Sequence, residues 1–162
     1  MKEGRHTLTM LVENEPGVTA RVSGLFAGRG YNIESICGAP TASPDMSRIT
    51  ITTKSDPHQL EQIMKQVRRL VNVIKVRDMT GDEAVKREMA LICVRTTSTG
   101  KRTEILQIAE IFRGRVVDTG TRHLIMEVTG SADKIDALIN LLEPYGIKKL
   151  ARSGALALYR EP

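Results

Sequence analysis

Hydrophobic positions along the chain change period in a regular order. Residues 6–13, His-Thr-Leu-Thr-Met-Leu-Val-Glu, read as a strand. Asn14-Glu15-Pro16-Gly17 breaks it, and from Gly17 to Arg29 the apolar residues Val18, Val22, Leu25 and Phe26 fall at i, i+4, i+7 and i+8, one face of a helix. Gly28 and Gly30 stand where glycines commonly end helices. Residues 31–39 form a second strand. After a turn with Pro40, Pro44 and Asp45, Ser47–Thr53 alternates Ile49 and Ile51 with polar neighbours, so the two strands make a hairpin. Asp56 caps and Pro57 opens a second helix with the stripe Leu60, Ile63, Met64, Val67 and Leu70. Ile74 and Val76 belong to a fourth strand.

The polar stretch Thr80-Gly81-Asp82-Glu83-Ala84 reads as a linker, after which the order starts again. Residues 87–95 predict a strand, and Ile105, Ile108, Ala109 and Phe112 a helical stripe. Residues 115–119 and 122–129 predict a hairpin turning at Gly120, and Ile135, Leu138, Ile139 and Leu142 a second helix ended by Pro144 and Gly146. Weaker strand signals follow at 147–151 and 155–159. Leu25-Phe26-Ala27-Gly28-Arg29 is echoed by Ile111-Phe112-Arg113-Gly114-Arg115. The fold class is therefore α+β: two tandem βαββαβ units of ferredoxin-like type, residues 1–80 and 81–162. Units this small bury a modest core, which predicts pairing with a second copy through sheet edges.

Composition narrows the function classes. The chain has two Phe, three Tyr and no Trp, which counts against base-stacking nucleic-acid modules on this fold. Its net charge of +5 comes from scattered residues rather than a basic stripe. Cys37 and Cys93 are isolated within apolar runs, which predicts a reducing, cytoplasmic setting. No signal-peptide core and no membrane-length apolar run is expected. A nucleic-acid interface and a membrane span are both read as absent.

Candidate chemistry is sparse. His6, His58 and His123 have no shared spacing. Cys93 with His123 could hold a soft metal, although zinc sites usually need three or four ligands. Gly24, Gly28 and Gly30 match neither GxGxxG nor a P-loop and sit at the wrong end of a helix for phosphate. We read no catalytic residue and no resident metal or cofactor. The informative stretch is Asn14-Glu15-Pro16-Gly17-Val18-Thr19, where a helix start offers unpaired N–H groups and the positive end of its dipole to a small carboxylate. Gly17 permits close approach, and the Asn14 amide can donate and accept. From physics alone, a plain helix start is the favoured explanation of the same residues.

Glu13-Asn14-Glu15-Pro16-Gly17, Gly24-Leu25-Phe26, Arg29-Gly30-Tyr31-Asn32-Ile33-Glu34-Ser35 and Leu60-Glu61-Gln62-Ile63 resemble the amino-terminal half of acetolactate synthase small subunits, an ACT domain. Arg87-Glu88-Met89-Ala90-Leu91, Glu110-Ile111-Phe112-Arg113-Gly114, Asp118 and Ala151-Arg152-Ser153-Gly154 resemble the carboxy-terminal half. The resemblance implies a non-catalytic regulatory subunit of branched-chain amino-acid synthesis. Its partner would be a large catalytic subunit using thiamine diphosphate, Mg²⁺ and FAD to form 2-acetolactate from pyruvate. It further implies a homodimer that binds a branched-chain amino acid, valine first, between ACT domains. Asn14, Glu15, Pro16, Gly17 and Val18 of one copy would face Asn32 and Ile33 of the other. Ala20 departs from the hydroxyl residue many relatives carry in that first turn, which puts affinity in doubt. Arg113, Arg152 and Ser153 are implied as possible contacts to the catalytic subunit. The competing classes are an ACT-type module serving another enzyme, a nucleic-acid binder, and an acyl-phosphate hydrolase. The last would need an arginine-bearing phosphate loop, and Asn14–Gly17 contains no Arg.

Overall fold

The computed structural model describes residues 4–81 and 83–160; Met1–Glu3 of the N-terminal stretch and Asp82 of the expected linker lie outside the described residues. Two compact units are present, each with an antiparallel sheet. The first comprises the described residues up to Val85 together with those from Gly154 onward, and the second is Lys86–Ser153.

The first unit contains β1 (Gly4–Glu13), α1 (Val18–Gly28), β2 (Ile33–Pro40), β3 (Met46–Ser55), α2 (Pro57–Val67) and β4 (Val73–Asp78). Its sheet order is β2-β3-β1-β4. The alternation in β1 puts Leu8, Met10 and Val12 on one face. There they join Ile49 and Ile51 of β3, Val22 and Phe26 of α1, and Ile63 and Val67 of α2 in one core. Asp56 caps α2 reciprocally: Gln59 N–H donates to Asp56 Oδ1 (2.8 Å) and Asp56 N–H to Gln59 Oε1 (3.0 Å).

Strand β2 begins at Ile33, two residues later than the sequence predicts. The residues before it finish the helix. Gly30 takes φ +71°, its N–H donates to Ala27 C=O (3.1 Å), and Tyr31 N–H donates to Phe26 C=O (2.9 Å). This double bond pattern ties the last carbonyls of α1, and the Phe26 and Tyr31 rings meet edge-on at 6.5 Å, closing the turn with an apolar contact.

The second unit repeats the plan with β5 (Ala84–Arg95), whose first two residues belong to the first unit, α3 (Thr99–Ile111), β6 (Arg115–Thr119), β7 (His123–Gly130), α4 (Ala132–Leu142) and β8 (Ile147–Arg152). The order is β6-β7-β5-β8, equivalent to that of the first sheet. Ser98 caps α3 and Ser131 caps α4. The core gathers Ile92, Val94, Ile105, Leu124, Met126, Ile135 and Leu138.

The Phe-x-Gly-Arg echo is not a structural equivalence. Helix α3 also ends in the double-bonded turn, with Arg113 N–H donating to Glu110 C=O (2.9 Å) and Gly114 N–H to Ala109 C=O (2.7 Å). Ala109 therefore plays the part of Phe26, and the string is displaced three residues along the helix end. The left-handed position falls on Arg113 (φ 54°) rather than on a glycine. A residue with a Cβ in that region costs about 1 kcal/mol or more. Arg113→Gly should accordingly raise stability by about 1 kcal/mol, read as a higher urea midpoint at unchanged slope. A midpoint that falls would show that Arg113 side-chain contacts outweigh the backbone strain.

The final strand, β9 (Leu156–Tyr159), pairs with β5, and Arg160 N–H donates to Glu83 C=O (2.8 Å). The expected linker is shorter than predicted, because Ala84 already begins β5 and is buried with Met79 and Ala157. On the polar face of the first sheet, Thr7, Thr9, Thr50 and Thr52 are all buried. Arg77 stacks on the Tyr159 ring at 4.9 Å, and Gly154, at φ +77°, approaches so closely that a Cβ there would meet Ser35 Cβ at 2.9 Å.

Candidate functional site

The loop between β1 and α1 is held from two sides while its centre stays open. Asn14 N–H donates to Asp45 C=O (2.8 Å), Asn14 Nδ2 donates to Pro44 C=O (2.9 Å), and Ser47 Oγ donates to Asn14 Oδ1 (2.9 Å). Asn14 thus fastens the loop to the β2–β3 turn, and its amide retains one N–H and one lone pair.

The other side is fixed by Asn72, a 6% exposed residue in the turn after α2 that sequence reasoning missed. Its Nδ2 donates to Glu13 Oε2 (2.6 Å) and Glu15 Oε2 (3.1 Å), while Arg21 Nη1 donates to its Oδ1 (2.5 Å). Glu13 N–H also donates to the Asn72 carbonyl (3.0 Å). The loop consequently presents two carboxylates and one guanidinium around a neutral amide. A polar residue in a turn carries no sequence signal for that role.

Between these anchors, Pro16 and Gly17 are exposed. Gly17 is the N-cap of α1, at φ 85° and ψ −8°, and makes no side-chain cap bond, whereas α2, α3 and α4 are all side-chain capped. The amides of Thr19 and Ala20 in the first turn have no acceptor among the described residues. A Cβ on Gly17 would meet nothing within 4 Å, so open space lies in front of the helix start. These groups suit a ligand carrying a carboxylate and an ammonium together: the helix start takes the anion and the Glu13/Glu15 pair favours the cation.

Val18 is 4% exposed and lies inside the first core, with Ile33 packed against the same core. Asn32 is exposed, and its backbone carbonyl accepts from Thr53 Oγ1 (2.6 Å). Asn14–Val18 precede α1 and Asn32 and Ile33 follow it. The 11 residues of that helix separate the two groups by about 16 Å within one chain. The structure brings the first five candidate residues together and leaves the other two at the opposite end.

Elsewhere the residue pairs flagged from sequence are placed as follows. His123 Nε2 faces Asp118 Oδ2 at 3.3 Å, and Cys93 is 9% exposed in β5. Among the described residues, no group of three or more His, Cys, Asp or Glu is arranged to hold a metal ion. Arg152 is turned inward: its Nε and Nη2 donate to Glu88 Oε2 (3.2 and 2.5 Å) and its Nη1 to Asp136 Oδ1 (2.5 Å). Burial opposes the guanidinium charge, but Glu88 and then Asp136 outweigh it, so the Arg152 pKa stands above its ordinary value. Ser153 is engaged with the Met89 backbone through both its Oγ and its N–H. Arg113 is exposed. No described helix is long and apolar enough to cross a membrane.

Comparison with known proteins places both units. Residues 8–75 match the family described as AHAS small subunit-like ACT domain, and residues 87–161 match the small subunit of acetolactate synthase. The acetolactate synthase small subunit of Mycolicibacterium smegmatis is 47% identical over 97% of this chain and 92% of its own length. The probable acetolactate synthase small subunit of Methanothermobacter thermautotrophicus is 46% identical over 99% of this chain and 95% of its own. The crystal structure of the acetolactate synthase small subunit from Thermotoga maritima superposes with a TM-score of 0.87 at 42% identity, covering 98% of this chain and 99% of that one.

Proposed function

Since the chain belongs to the family of acetolactate synthase small subunits, regulatory proteins whose first half is an ACT domain, we propose that it senses a branched-chain amino acid, valine first, between two copies of that domain. The observation that carries this reading is the uncapped start of α1 at Gly17, opening onto empty space beside Glu13, Glu15 and Asn14. The ligand carboxylate takes the first-turn amides and its ammonium the carboxylate side of the loop. Asn32 and the apolar surface of Ile33 come from a second copy. One chain keeps the two groups about 16 Å apart, so a homodimer completes the pocket.

Regulation follows from differential affinity. A large catalytic subunit, working with thiamine diphosphate, Mg²⁺ and FAD in the cytoplasm to make 2-acetolactate, is inhibited if valine binds one conformation of the assembly better than the other. The isolated chain has no turnover of its own in this reading.

Titration of the purified chain with valine, leucine and isoleucine by calorimetry is the test. Saturable valine binding is expected, weakened on the order of tenfold or more in Asn32→Ala, because a hydrogen bond to a charged group contributes about 1.5–3 kcal/mol. Sedimentation should show a dimer for both proteins. Equal affinity in the parent and in Asn32→Ala would remove the second copy from the pocket.

A further inference from the structure

The second unit has a cavity of about 680 Å³ at the start of α3, the same place in the βαββαβ order that the Asn14–Gly17 loop occupies in the first. Its chemistry is the reverse. Every residue lining it is Arg, Lys, Thr or Ser, with no carboxylate and no apolar side chain. A zwitterion would find nothing for its ammonium, and a branched side chain would find no apolar wall.

Four cations surround the cavity: Arg95, Arg102, Arg122 and Lys148. Arg102 is oriented by donating through Nη1 to Gly120 C=O (3.1 Å) and through Nη2 to Thr119 Oγ1. Arg95, Arg122 and Lys148 form no ion pair among the described residues. Like charges gathered around one concavity repel, and a multiply charged anion removes that repulsion.

An independent observation comes from Thr96. This lining residue is 4% exposed, and its hydroxyl is buried without a hydrogen-bond partner. Leaving a buried hydroxyl unpaired is unfavourable, and rotation about the Thr96 Cα–Cβ bond towards the cavity would let a ligand oxygen satisfy it. The amides of Thr99 and Gly100 in the first turn of α3 likewise lack acceptors among the described residues. They add the positive end of the helix dipole to the same space.

We propose that this cavity binds a multiply charged, phosphate-type anion, giving each chain a second ligand site separate from the amino-acid site of the first unit. Thr96 and the α3 amides take its inner oxygens, and Arg95, Arg122 and Lys148 neutralise its charge. The same chemistry is offered by free phosphate, by pyrophosphate and by a phosphate monoester.

The test titrates inorganic phosphate, pyrophosphate and glycerol 3-phosphate separately into the whole chain by calorimetry, with malonate as a dicarboxylate dianion. We expect saturable binding of at least one phosphate compound at one site per chain, the tightest of the three naming the source. Arg122→Gln and Thr96→Val should each weaken it about tenfold, Thr96→Ser should retain it, and Arg113→Gln, in a different basic cavity, should not change it. Thr96→Val removes a hydroxyl with no partner, so the anion-free chain should unfold at an unchanged or higher temperature. The proposal is overturned by absence of saturable binding, by undiminished affinity in both Arg122→Gln and Thr96→Val, by equal loss in Arg113→Gln, or by malonate binding as tightly as phosphate.

Discussion

Arg152→Met is expected to destabilise the second unit by about 3 kcal/mol, because it strands a buried carboxylate. Glu88 is 4% exposed, and both hydrogen bonds to its Oε2 come from Arg152. The two residues lie on neighbouring strands: Arg152 pairs in register with Ala90, two residues beyond Glu88 and on the same face. The guanidinium reaches on to Asp136 of α4, so one side chain joins β5, β8 and α4. Asp136 is about half exposed and can rehydrate, whereas Glu88 cannot. Most of the loss therefore comes from Glu88. A loss of that size is a large share of the roughly 5–15 kcal/mol that holds a domain folded. Adding Glu88→Met to Arg152→Met should recover most of it, since an apolar pair in place of a buried ion pair is often neutral or better. Urea unfolding followed by hydrogen exchange at second-unit amides separates that unit from the first. An Arg152→Met chain within about 0.5 kcal/mol of the parent, the usual range for surface substitutions, would mean the pair is solvated in solution.

The resemblance that offered Arg152 and Ser153 as contacts to a partner did not carry this internal role, and the reason is general. Helix stripes and strand alternation are local, so the two βαββαβ units, the Asp56 cap of α2 and the core positions were legible from spacing alone. What a polar side chain pairs with is set by register between distant segments. Glu88 and Arg152 are 64 residues apart, and Asn72 is 59 from Glu13. Thr7, Thr9, Thr50 and Thr52 are the polar neighbours that alternate with the apolar positions of β1 and β3, and they are buried all the same, which alternation does not reveal. The echoed Phe-x-Gly-Arg string misled by three residues, since a left-handed helix end can settle on Arg113 when the backbone bonds require it. The cavity at Thr96 stayed invisible for the same reason as Asn72: its cations come from the ends of β5 and β8, the first turn of α3 and the β6–β7 turn.

The largest functional effect is expected from Gly17→Asp, which should lower valine affinity on the order of a hundredfold or abolish measurable binding. Gly17 stands at the start of α1 facing open space, and a carboxylate there competes with the ligand for the Thr19 and Ala20 amides and repels its charge. Two like charges about 4 Å apart interact by about 4 kcal/mol near a protein surface, more than enough for that loss. The backbone contributes separately, because φ 85° favours glycine, and Asp tolerates the left-handed region better than most residues. Gly17→Ala isolates that part: it adds the Cβ without the charge and should cost about 1 kcal/mol of stability while leaving most of the affinity. If both variants lose binding equally, the loop acts through its shape and the anion reading of the helix start fails. If Gly17→Asp binds valine like the parent, the amino-acid site lies elsewhere in the dimer. A hundredfold loss in Gly17→Asp beside a modest one in Gly17→Ala places the ligand carboxylate at the first turn of α1, where the sequence offers donors and no cap.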